Sequence, residues 1–200
     1  MRPEREIRVR RLARNGKIVL IFAFMKRMLF SLALLSAFML LSAGCILQDP
    51  VTPGASPLGV GDSLPAFAVT TTDGKLISTS DLLGKASIVS NISVGCPDCA
   101  AQLPHMNRFF ADYGDAVNVL CIARRDDAGT VRRYWADNAY ALPVAAPGDA
   151  SVYDLFDRGS GTGVPQTYFA DSKGRIVFTA NDTHILSYEE ICDVALSITD

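Results

Sequence analysis

The sequence has little that marks a metal centre or a nucleic-acid binder. Among 200 residues there are only two histidines, His105 and His184, and the formal net charge is −2. A charge so near zero supplies no global field for a phosphate backbone, so no nucleic-acid partner is expected. The five cysteines contain a single close pair, Cys96-Pro97-Asp98-Cys99. A structural zinc site takes four ligands, commonly from two such pairs, and one pair with two scattered histidines is a poor set; no metal site is expected. No internal repeat is present. The glycine-rich run Gly159-Ser160-Gly161-Thr162-Gly163 leads into a strand-like segment, not a helix opening on Gly-Lys-Ser/Thr, which excludes a phosphate-binding loop. Its glycines are expected to leave the chain free to move there.

What is present begins with an export pattern. Met25-Lys26-Arg27-Met28 is followed by an apolar run, Leu29 to Leu41, and then by Ser42-Ala43-Gly44-Cys45. A cationic start, a short apolar stretch and a small-residue exit read as a signal peptide over 25–44, and the run is too short for a confident membrane span. The exit is similar to a bacterial lipobox, which makes Cys45 the expected lipidation site and the membrane a partner through that anchor. Ile46 after Cys45 is not an acidic retention signal, which favours the outer membrane over the inner. Residues 1–24, with Arg2, Arg5, Arg8, Arg10, Arg11 and Arg14, then read as an upstream extension before a true start at Met25 or Met28. Residues 45–61 are rich in proline and glycine and read as a tether, leaving 62–200 as the folded domain, large enough for one core.

Within that domain, strand and helix signals alternate. Phe67–Thr72 and Lys75–Ser78 flank an Asp73-Gly74 turn and read as a hairpin. Ser80–Leu83 reads as a capped helical turn before Gly84. Strands are expected over 86–93, 116–123, 142–145, 164–169 and 175–179, and helices over 97–113, 126–138, 151–156 and 187–198. The order implies an α/β fold, a mixed central sheet with helices on both faces and an N-terminal hairpin extension. Cys121 and Cys192 fall in apolar strand-like and helix-like runs and read as buried hydrophobes, although a disulfide between them also fits the sequence. Arg124, Arg125, Arg132 and Arg133 read as a solvated face or a docking surface.

The close pair carries the chemistry. A strand ending at Cys-x-x-Cys and opening into a helix puts the first cysteine at the helix N-terminus, where unpaired N–H groups and the dipole favour a thiolate. The second lies about one turn along, placed to attack a mixed disulfide. Cys96 is therefore the candidate nucleophile and Cys99 the resolving thiol; a static disulfide is the duller reading. Pro97 suits the first helical position. Asp98 favours the helix but opposes a neighbouring thiolate, so it is expected to make the pair less oxidising. No cofactor is expected, because the pair itself is the redox group.

These residues resemble the thioredoxin-like thiol–disulfide oxidoreductases, specifically the TlpA and AhpC/TSA-type proteins of bacterial envelopes. The resemblance covers residues 62–181: Leu64-Pro65-Ala66-Phe67 with Asp73-Gly74-Lys75, the Cys96–Cys99 motif, Pro104 within the active-site helix, Gly163-Val164-Pro165-Gln166-Thr167-Tyr168-Phe169, and the Asp171–Val177 hairpin. It implies a thioredoxin-like fold and a cis Pro165 beside the pair, with the Val164 backbone free to pair with an extended substrate. It also implies protein substrates in the envelope, a separate redox partner that recycles the pair, and action as a reductant on the periplasmic side. Two positions depart from the pattern: Gly95 stands where an aromatic is common, and Gln102 where a buried glutamate is common.

Two rival functions share this fold. A peroxiredoxin places proline seven residues and threonine three residues before its cysteine; here those positions are Val89 and Ser93. A copper-handling module uses a wider cysteine spacing and a distant histidine, for which His184 is the candidate.

Overall fold

A computed structural model describes residues 56–199. Cys45, the signal segment and most of the tether lie outside the described residues.

Five strands form one mixed sheet: β3 (Ser87–Ile92), β4 (Asn118–Ala123), β5 (Val144–Ala145), β6 (Gln166–Ala170) and β7 (Ile176–Ala180), in the order β5-β4-β3-β6-β7. β3 is parallel to β4 and antiparallel to β6. All six residues of β3 are buried, as expected for a strand covered on both faces. A separate antiparallel pair, β1 (Ala68–Thr70) and β2 (Leu76–Ser78), forms the expected hairpin, and a 3₁₀ turn follows at Thr79–Leu82. The helices are α1 (Pro97–Tyr113), α2 (Ala128–Asp137), α3 (Ser151–Asp157) and α4 (Tyr188–Ser197).

Alternation along the strands divides the core between the two faces of the sheet. Ile88, Ile92, Cys121 and Phe169 pack with Leu103 and Phe109 of α1, Val131 and Trp135 of α2, and Ile191 of α4. Val89, Leu120, Ile122 and Tyr168 pack with Phe156 of α3 and with Val69 and Ile77 of the hairpin. Helices therefore cover both faces of a thioredoxin-like α/β fold.

The chain packs from further upstream than the composition implies. Leu58, within the segment read as tether, is 4% exposed. Its N–H donates to the Phe156 carbonyl at 2.9 Å, and the Gly61 N–H donates to the Ile176 carbonyl at 2.9 Å.

Candidate active site

The pair sits where β3 hands over to α1. Cys96 is the N-cap of α1 with extended backbone, Pro97 occupies the first helical turn, and Asp98 follows there, exposed. Proline lacks the N–H that would go unpaired at this end anyway. One turn into the helix, Cys99 points into the core and is 0% exposed, whereas Cys96 is half-buried. Both are thiols here, as are Cys121, buried in β4, and Cys192, half-buried on α4. Burial pushes the Cys99 thiol well above its ordinary range. The Ser93 N–H, donating to its Sγ at 3.4 Å, pulls the other way, and the neighbouring Cys96 adds to the rise. The pair thus combines a half-buried cysteine with a fully buried one whose thiol holds its proton more tightly than usual.

A second chain segment meets Cys96 across the sheet. Its Sγ donates to the Val164 carbonyl at 3.1 Å, and the Val164–Pro165 bond is cis. Pro165 leads into β6, which lies beside β3. The elements read separately in the sequence, the Cys-x-x-Cys turn and the Val164-Pro165 entry, are therefore brought into direct contact. Helix α1 continues through Pro104, where proline has no N–H to offer the preceding turn.

Behind the pair, Gln102 is 1% exposed. Its Nε2 donates to Thr167 Oγ1 at 2.9 Å, its Oε1 accepts from the Leu186 N–H at 3.1 Å, and Thr167 Oγ1 shares a hydrogen bond with Ser90 Oγ at 2.8 Å. Gln102 ties α1 to β6 and to the approach to α4. As an uncharged amide it offers no acid or base to Cys99.

Several neighbours of the site were not picked out from sequence. Asp126 accepts from the Val94 N–H at 3.3 Å and the Ser93 hydroxyl at 3.4 Å, bracing the loop that carries the Ser93 donor to Cys99. The glycine-rich run is held rather than free. Asp157 accepts from Ser160 Oγ, Gly161 N and Thr162 N, and Tyr153 donates to the Thr162 carbonyl. The signal for this existed: an aspartate shortly before a Ser-Gly-Thr run is the composition of a side-chain-capped turn. Arg124, grouped with a solvated face, instead lies over the Tyr153 ring at 4.1 Å. His184 Nε2 bonds Glu190 Oε1 at 2.8 Å, a contact that copper ligation through that nitrogen would have to give up.

A mixed sheet of this topology, with a half-buried and a buried thiol paired at a helix start beside a cis-proline, defines a thioredoxin-like protein. The chain belongs to the AhpC/TSA family, whose model matches residues 60–179. It is similar to the thiol-disulfide oxidoreductase ResA of Bacillus subtilis, 23% identical over 79% of this chain and 87% of that protein. It is also similar to the thiol:disulfide interchange protein DsbE of Pseudomonas fluorescens, 30% identical over 58% of this chain and 64% of that one. Among solved structures, the thioredoxin domain of a thiol-disulfide oxidoreductase from Bacteroides vulgatus superposes with a TM-score of 0.62 at 17% identity, covering 72% of this chain and 99% of that one. A secreted disulfide oxidoreductase of Mycobacterium tuberculosis gives 0.58 at 22% identity, covering 66% and 95%. The protein is a thiol–disulfide oxidoreductase.

Proposed function

We propose that this protein exchanges disulfides with protein substrates in the bacterial envelope, as a reductant, with Cys96 as the nucleophile and Cys99 as the resolving thiol. The observation that supports this most directly is the half-exposed Cys96 at a helix start, over a buried Cys99 and against the Val164 carbonyl before a cis-proline. The Cys96 thiolate attacks a substrate disulfide, forming a mixed disulfide and releasing one substrate thiolate, which takes up a proton. Cys99 then loses its proton and attacks Cys96 Sγ, releasing the second substrate thiol. Two electrons have passed to the substrate, and the pair is left as a disulfide. A separate dithiol partner must return it to the thiol form. Val164 and Pro165 present backbone to an extended substrate segment, Pro97 starts the helix, and Asp98 sets the local charge.

The anchor reading rests on sequence: export through residues 25–44, lipid on Cys45, residues 45–61 as tether, the domain facing the periplasm, and the outer membrane favoured by Ile46. Among the described residues no helix is long and apolar enough to cross a membrane. Labelled fatty acid incorporated by the wild-type chain and lost in Cys45→Ala supports the anchor; equal labelling of both removes it.

The decisive experiment equilibrates the protein with glutathione redox buffers and follows the thiols by mass. A reversible two-electron couple confined to Cys96 and Cys99 is expected, and Cys99→Ala should accumulate mixed disulfides with envelope proteins. A pair that neither oxidises nor reduces reversibly would end this reading.

A further inference from the structure

The segment that brings Val164 to Cys96 is anchored from beneath by a buried carboxylate. Asp157, the last residue of α3, is 3% exposed. A carboxylate buried without partners is strongly disfavoured, and this one is fully engaged. Oδ1 accepts from Ser160 Oγ at 2.6 Å, the Thr162 N–H at 3.0 Å and Gln166 Nε2 at 3.1 Å, and Oδ2 accepts from the Gly161 N–H at 2.9 Å. Burial pushes its proton affinity up, but the bonds from Ser160, Gly161 and Gln166 outweigh that and hold the carboxyl below its ordinary range. Thr162 is gripped at both backbone atoms, because its carbonyl accepts from the Tyr153 hydroxyl and, at 3.4 Å, from Gln166 Nε2. Tyr153 is itself braced by Arg124 stacked on its ring, and Gln166 Oε1 accepts from the Tyr168 hydroxyl at 3.1 Å. Two residues beyond Thr162 lies Val164, whose carbonyl is 3.1 Å from Cys96 Sγ.

We propose that Asp157 is a positioning residue for disulfide exchange: through residues 160–162 it fixes the Val164 backbone at the separation from Cys96 that an incoming protein disulfide requires. Asp157 touches neither sulfur, so its effect is on the geometry of docking and not on the exchange step. The inference rests on exchange at Cys96. It separates two substrate types. A protein disulfide enters on an extended segment that needs the Val164 backbone in place. A small disulfide reaches the half-exposed Cys96 without it.

The test compares wild-type protein with Asp157→Asn, which keeps the shape but replaces one acceptor oxygen by a donor facing other donors. The substrates are insulin as the protein disulfide and hydroxyethyl disulfide as the small one. For Asp157→Asn, KM for insulin is expected to rise by about five-fold or more, with turnover of hydroxyethyl disulfide unchanged within about two-fold. A merely structural role would lower both activities in proportion to the folded fraction. Equal losses, or no change in either, overturn the proposal. If Asp157→Asn does not fold, Tyr153→Phe decides: it removes one bond to the Thr162 carbonyl and keeps the ring under Arg124. The same split, smaller, is expected, and its absence overturns the proposal. Wild-type protein that reduces neither disulfide sinks the exchange reading with it. Wild-type turnover of both, with no split in the variants, sinks the role of Asp157 alone.

Discussion

Gln102 shows how much one buried polar side chain can carry. Truncating it to alanine removes three contacts at once and strands the Leu186 N–H inside the core, while the Thr167 hydroxyl is left with its bond to Ser90 Oγ. Leaving a buried donor unpaired costs about 1–3 kcal/mol, and the vacated volume adds to that. Gln102→Ala should therefore lower the stability of the reduced protein by about 2–4 kcal/mol, read from urea unfolding. A smaller loss would mean that the loop before α4 finds other partners. Asp98 is the contrasting case, exposed in the first turn of α1 beside Cys96. Removing its charge eases the build-up of negative charge on the neighbouring sulfur and favours the reduced form of the pair. Asp98→Ala should shift the glutathione equilibrium toward thiol, making the protein more oxidising; an unchanged equilibrium constant would remove Asp98 from the site.

Helix α4 carries its own pH response. Ser187 is its N-cap and forms a reciprocal capping box with Glu190, whose Oε2 accepts from the Ser187 N–H at 2.9 Å while Oε1 bonds His184. The Ser187 N–H, then His184 and the Ser187 hydroxyl, hold the Glu190 carboxyl down to about 2, below the ordinary 4.5. A carboxylate depressed in the folded state stabilises that state above its unfolded value and loses the contribution as pH falls through its folded value. The part of the stability due to this cap should thus be intact above about pH 4.5 and vanish toward pH 2, with the Glu190 carboxyl resonance titrating at the low end. Glu190→Gln should flatten that portion of the stability profile, and an unaltered profile would refute the assignment. Pro97 made the start of α1 legible in the sequence through a local chemical requirement, and the structure adds Ser187 and Asp127 as the side-chain caps of α4 and α2. The supports of the site were not legible for the converse reason. Gln102 meets Thr167 and Leu186 at separations of 65 and 84 residues, and only the closed sheet makes them neighbours. Asp126 likewise meets Ser93 and Val94 only because β3 and β4 end side by side. The glycine-rich run misled because its composition speaks of freedom, while the restraint comes from Asp157 and Tyr153 in the preceding helix.

Taken whole, the molecule separates reaction from scaffold by the two faces of one sheet. Cys99, Leu103 and Phe109 belong to the face covered by α1, α2 and α4, whereas Ile77, Val69 and Leu58 pack on the opposite face with α3. Stability is shared by both faces, because both pack against the same strands. The redox pair depends on the first face directly, since Cys99 is part of its core. The second face reaches the pair through α3 and the Asp157 anchor; the hairpin packs in the same cluster as Phe156 of α3, but none of the groups that bond the Asp157 carboxylate belongs to it. Two truncations of similar size distinguish these dependences. Ile77→Ala and Leu103→Ala each empty a buried site and should each lower stability by about 2–4 kcal/mol in urea unfolding. Ile77→Ala should leave the glutathione equilibrium of Cys96 and Cys99 where it was, because the groups that bond the two sulfurs, the Ser93 N–H and the Val164 carbonyl, lie outside the hairpin. Leu103→Ala opens space one turn beyond Cys99, relaxes the buried thiol's surroundings and should move that equilibrium. If Ile77→Ala moves it equally, the two faces are coupled through the strands themselves, and the hairpin extension is part of the redox machinery.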